Sequence, residues 1–158
     1  MKKLFTLANL IKICAVALGV VAFFMMFADQ LYFEVGKTKT FVEYGEAFFG
    51  SKTNIIIGTI EAKGAIISFI GYLLVAVASL ITLLSIFVNL DKGTQKIVAF
   101  CGALLLIAGA VMILVEANVY NAANEIESAK LAAAPIVAGI LSALAACGLC
   151  ASSFVKSK

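Results

Sequence analysis

The chain contains no histidine, which removes the usual general base and the commonest metal ligand. What remains for chemistry is sparse. Four cysteines, Cys14, Cys101, Cys147 and Cys150, include the run C-G-L-C at 147–150, which has the spacing of a redox dithiol. Such a dithiol works at a helix N-terminus, where the dipole favours a thiolate. Here the pair stands near the C-terminal end of a long apolar stretch, where the dipole opposes one. The cysteines therefore read as small packing residues, with lipidation, redox sensing or a four-thiolate metal site as weaker alternatives.

Two ionisable residues lie in or against apolar runs, and such residues are functional candidates by default. Lys12 is about two turns into its run, from where its side chain can snorkel to headgroups. Glu116 follows M-I-L-V, with Asn118 nearby and Tyr120 one helical turn on. That grouping suits an ion or proton site, or an interfacial carboxylate touching water. No catalytic residues, metal-ligand set or cofactor motif emerge. The glycines are spread through the apolar runs, with no nucleotide-binding loop, and no two carboxylates share a run. No enzyme and no cofactor are expected. No nucleic-acid partner is expected either, because no basic patch is interleaved with aromatics.

The elements that must position these residues are membrane spans. Of 158 residues, 63% are hydrophobic and 13% charged, with a mean hydropathy of +1.11. A water-soluble domain keeps about a quarter of its residues charged. Four apolar stretches, Leu4–Ala28, Gly64–Leu90, Lys96–Ala117 and Leu131–Phe154, each reach the about 20 residues a bilayer requires. The second is long enough to tilt or project. The chain reads as one four-span domain, 1–158, with outer loops at about 29–63 and 118–130. The first stretch is expected to stay uncleaved, since Lys12 interrupts it and Met26 stands where a signal peptidase prefers a small residue.

Every basic residue is lysine. Lys2, Lys3, Lys12, Lys92, Lys96, Lys156 and Lys158 against Asp91 give one side a net +6. The other side holds five lysines and eight acids, a net −3. Lysines concentrate on the cytoplasmic side of short loops and span ends, so both termini are expected in the cytoplasm. The lysine-only set, without Trp, fits an AT-biased bacterial genome and its cytoplasmic membrane.

Lipid gives helices no hydrophobic reason to associate, so small residues must supply close packing. In the fourth stretch Ala134, Ala138, Ser142, Ala146 and Cys150 form one small ridge. Gly139, Ala143, Cys147 and Ala151 form a second beside it, which faces a neighbouring helix or another copy. The third stretch carries Gly102 and Gly109 within small clusters. An all-α, four-helix bundle with the third and fourth helices tightly apposed follows. Ser79, Thr82 and Ser85 read as hydroxyls bonding back to helix carbonyls in preference to a pore lining.

Between the first two stretches, L-Y-F-E-V-G-K-T-K-T-F-V-E-Y (31–44) alternates as a β-hairpin does. A turn at Lys37–Thr38 sets Val35 opposite Thr40, Phe33 opposite Val42 and Leu31 opposite Tyr44, making one largely apolar face for interaction. Residues 54–60, N-I-I-I-G-T-I, could add a third strand or begin the next helix. A lone hairpin is marginal, so it is expected to rest as a lid on the bundle, against a third helix that projects beyond the bilayer. Four spans, cytoplasmic termini, a β-containing first outer loop and an extended third helix together resemble the layout of the claudin-type tetraspan proteins. That resemblance is architectural and transfers no residue: the family's Trp and paired outer cysteines have no counterpart here. The expected function is a non-enzymatic interaction, scaffold or accessory role in contact with membrane lipid, further copies or another membrane protein. The alternative is an oligomeric, cation-preferring pore or small transporter.

Overall fold

A computed structural model describes residues 6–35, 37–55, 58–88 and 90–155. It is mostly helical, and four helices are long and apolar enough to cross a membrane: α1 (Leu7–Phe24, extended by a 3-10 turn at Met25–Phe27), α3 (Ile66–Phe87), α4 (Lys92–Leu114) and α6 (Ala133–Phe154). The chain is a multi-pass membrane protein by this measure. Capping sets the ends. Thr6 accepts from Asn9 N at 3.3 Å to start α1, and Leu4 and Phe5 lie outside the described residues. Asp91 accepts from Thr94 N at 3.0 Å, so α4 begins before Lys96, at polar residues that hydropathy alone leaves in the loop.

The helices are inside-out relative to a protein in water. Large residues such as Ile13, Val77, Leu80, Leu104, Ile107 and Leu144 face outward, while Ala15, Gly19, Ala78, Ala103, Ala138 and Ala145 are buried. Lipid rewards the first arrangement, and close helix approach requires the second. α6 packs against α4 and α1, and α3 packs against the same two. A Cβ placed on Gly71 of α3 would lie 2.9 Å from the Gly109 carbonyl of α4, and the reverse approach is 2.7 Å. Those two backbones touch because neither residue has a side chain.

Of the ridge Ala134, Ala138, Ser142, Ala146 and Cys150, the first four are buried and Cys150 is partly buried. The second ridge is not. Gly139 is buried against Leu114, but Ala143, Cys147 and Ala151 face outward. Residues four apart drift by about 40° per step around a helix, so a row beginning at the edge of the buried arc turns out of it. Ala145 and Leu149 complete the buried face instead. Gly109 contacts α3 and not the fourth span, and Gly102 lies between Thr82 of α3 and Leu149 of α6. Of the cysteines expected to pack, Cys150 is partly buried against the core, whereas Cys14, Cys101 and Cys147 are exposed free thiols.

A small sheet covers one end of the bundle. Strand β1 (Leu31–Val35) lies between β2 (Thr38–Val42) and β5 (Ala129–Leu131), all antiparallel. The hairpin register differs from expectation by two residues: Val35 pairs with Thr38 and Leu31 with Val42. The strands thus close between Val35 and Thr38; Gly36 lies outside the described residues. A slip of two preserves the faces, because side chains alternate with that period.

The third strand is not residues 54–60. Those form part of a separate hairpin, β3 (Ser51–Ile55) with β4 (Gly58–Ala62), and residues 56 and 57 lie outside the described set. Between the hairpins runs a short helix, α2 (Tyr44–Phe49), which ends at Gly50 with φ 80°. Past a break at Val115, α5 (Glu116–Asn124) extends α4 toward the sheet, as expected of the third span.

Candidate functional site beneath the sheet

Where the sheet meets the bundle, polar groups are buried together. Gln30, just before β1, is fully buried. Its amide nitrogen lies 3.0, 3.1 and 2.6 Å from the carbonyls of Met25, Met26 and Ala28, closing the 3-10 turn that ends α1. Its carbonyl Oε1 accepts from the Tyr72 hydroxyl of α3 at 2.9 Å. Its backbone N donates to Val42 O at 3.2 Å, and its backbone O accepts from Ala132 N at 2.9 Å. One residue therefore ties α1, α3, the end of β2 and the start of α6. Phe48 of α2 fills the space beside it, with ring centroids 5.8 Å from Tyr72 and 5.9 Å from Phe69.

Glu116 opens α5 in this region and is fully buried. Neither carboxylate oxygen has a hydrogen-bond partner among the described residues. Ser68 of α3 is close enough to favour the ionised form, and its hydroxyl also stands 3.5 Å from Met112 O, at the limit of hydrogen bonding. Burial pushes the Glu116 carboxyl up to about 8, and Ser68 offsets only part of that. The carboxyl is thus held as the neutral acid near neutral pH. The penalty on its ionised form is on the order of a few kcal/mol. Tyr72 is the phenol within its electrostatic reach.

Tyr120, expected beside Glu116, shares the buried face of α5 with it. Its ring meets Phe33 of the hairpin at 6.3 Å. Burial, then Glu46 of α2, raises its hydroxyl above the ordinary tyrosine value. Asn118 faces outward. On the far side of α5, Asn121 pairs with both backbone groups of Ala129 at 2.9 and 3.1 Å. Asn124 does the same for Lys63 at 2.7 and 2.8 Å. These amides stand in for strand neighbours, so α5 holds β5 and the approach to α3.

The apolar hairpin face is turned toward the bundle. Leu31 and Val42 are buried against the bundle, and Phe33 is partly buried on Tyr120. The Val35 side chain lies outside the described residues. Tyr44 is exposed, but it begins α2 and stacks edge-on against Phe27 at 5.6 Å. The opposite face carries Tyr32 and a half-exposed Phe41, paired across the strands at 6.1 Å. Beside them are Lys39 over the Tyr32 ring and a Lys130–Glu34 ion pair at 2.6 Å.

Sequence reasoning missed Gln30, Tyr72 and Phe48. The one available signal was a tyrosine and a glutamine at the same ends of two adjacent spans, each needing a partner if buried. Ser79, Thr82 and Ser85 bond back to carbonyls of α3 at 2.7–2.8 Å. Among the described residues no group of three or more His, Cys, Asp or Glu converges to hold a metal. No family model, curated protein or solved structure matches the chain.

Proposed function

We propose that this is a non-enzymatic tetraspan protein of a bacterial cytoplasmic membrane, an interaction, scaffold or accessory subunit that presents its sheet outside the cell membrane. The lysine bias favours cytoplasmic termini, an orientation that would set the sheet on the opposite side, in a claudin-like layout. The observation that carries the reading is the built lid. Its inner face is locked to four elements through Gln30, while its outer face displays Tyr32 and a half-exposed Phe41 flanked by Lys39, Glu34 and Lys130. Exposed aromatics amid mixed charge are the usual make-up of a protein contact. The residues that bind a partner are therefore Tyr32 and Phe41, in place of Leu31, Phe33 and Val42.

A photo-crosslinking residue at Phe41, followed by mass determination of the particle in mild detergent, tests this. A crosslinked companion, or a dimer joined through the sheet, supports it; an uncrosslinked monomer from native membranes counts against it. A second reading, an oligomeric cation-preferring pore or small transporter, draws on the buried and unpartnered Glu116. It requires a closed ring of copies, because the hydroxyls of α3 are already bonded within their own helix. A ring by mass, with conductance that is lost in Glu116→Gln, would favour it.

A further inference from the structure

At the end of the bundle opposite the sheet, the first turns of α1 and α4 and the last turn of α6 enclose a cavity of about 480 Å³. Its polar lining is Lys12, Lys92, Lys96, Gln95, Ser152 and Ser153, and no acidic residue lines it among those described. Lys12 is 4% exposed. No hydrogen bond or ion pair engages its ammonium among the described residues. Ser152 and Ser153 both donate to Leu149 O, at 2.7 and 3.3 Å, so their hydroxyl protons are engaged within α6. The N-terminus of α4 also points here, adding the positive end of a helix dipole. Asp91, the nearest carboxylate in sequence, is engaged by Thr94. A buried ammonium without a counter-ion is costly, and three lysines around a concave space of this size fit a small anionic ligand.

We propose that this cavity binds a phosphate group, with Lys12 seated against it and Lys92 and Lys96 closing over it. The shared chemistry is a phosphate monoester or diester. Its two sources are the headgroup of an acidic phospholipid in the adjoining leaflet and a soluble phosphate compound. Ala8, Ala99, Phe154 and Val155 complete the wall and would accommodate the start of an acyl chain, as basic pockets between spans do for acidic lipids.

The test uses the full chain in mild detergent, following thermal unfolding with phosphatidylglycerol, phosphatidylcholine or inorganic phosphate added. Phosphatidylglycerol is expected to raise the unfolding temperature and phosphatidylcholine is not; a rise with inorganic phosphate that equals the lipid effect assigns the site to soluble phosphates. In Lys12→Met the apparent affinity for the effective anion should fall roughly tenfold or more. Its unfolding temperature without ligand should be unchanged or higher, because a buried unpaired charge has gone. Lys96→Gln, on an exposed side chain, should weaken the response without harming the fold, and Lys37→Gln at the other end should leave it intact. No response to either anion, or equal responses in wild type and Lys12→Met, overturns the proposal.

Discussion

Glu116 and Lys12 are both buried ionisable residues near the ends of the bundle, yet their surroundings are opposite. Glu116 is sealed under a sheet, with Phe48, Tyr72 and Leu31 among the fully buried residues of that end. Lys12 lies at the open end, on a cavity shared with two exposed lysines. A sealed carboxyl has one inexpensive solution, which is to keep its proton. An ammonium at a cavity mouth has another, which is to admit an anion. One end of the bundle is thus finished by the chain itself, and the other is left for something from outside the chain.

The largest expected effect tests the sealed end. The Glu116 carboxyl is raised from 4.5 to about 8 in the folded protein. Folding therefore favours the protonated form. Its stability is fully present below about 4.5 and declines as pH rises through about 8. Glu116→Gln should flatten this decline and make the protein more stable than wild type on the alkaline side, by a few kcal/mol, as read by unfolding in detergent across pH. An unchanged pH profile would mean that water reaches the carboxyl and that the two ends are alike.

Ala138→Leu sets the scale for packing damage within the bundle, since Ala138 is fully buried in α6. Overpacking there should cost about 3 kcal/mol, while Ala143→Leu, on the outward face, should stay within about 0.5 kcal/mol. Equal losses would show Ala143 buried against another copy. Gln30→Ala should cost on the order of 2 kcal/mol by stranding the Tyr72 hydroxyl and several carbonyls, and should expose the hairpin to protease while the spans stay intact. Tyr72→Phe should cost about 1 kcal/mol, the single bond to Gln30. Lys130→Ala, in an ion pair open to water, should leave the unfolding temperature unmoved.

How much of this was legible depends on the scale of the signal. The spans were readable because each is about 20 residues of one character. Their ends shifted where a single cap, such as Asp91, recruits polar residues into the helix. The hairpin was readable by alternation, but its register was not, since a slip of two leaves the alternation unchanged. β5 was invisible: A-K-L has no strand character, and it is extended because β1 and Asn121 supply its partners. Helix α2 has a glycine within six residues, and it is stable through Phe48 rather than through propensity. At the site, Glu116 stood out as a charge after an apolar run. Gln30 and Tyr72 did not, because burying them required a contact between residues 42 positions apart.

The strand β5 carries one more consequence, for the order in which the protein is made. β1 and β2 emerge after the first span, but their third strand lies just ahead of the last one. A chain still being threaded into the membrane has the hairpin without its neighbour and Gln30 without the amide of Ala132. The sheet is complete only when the third crossing is over and the fourth is beginning. Its closure therefore waits until all of the chain but the last span has been made.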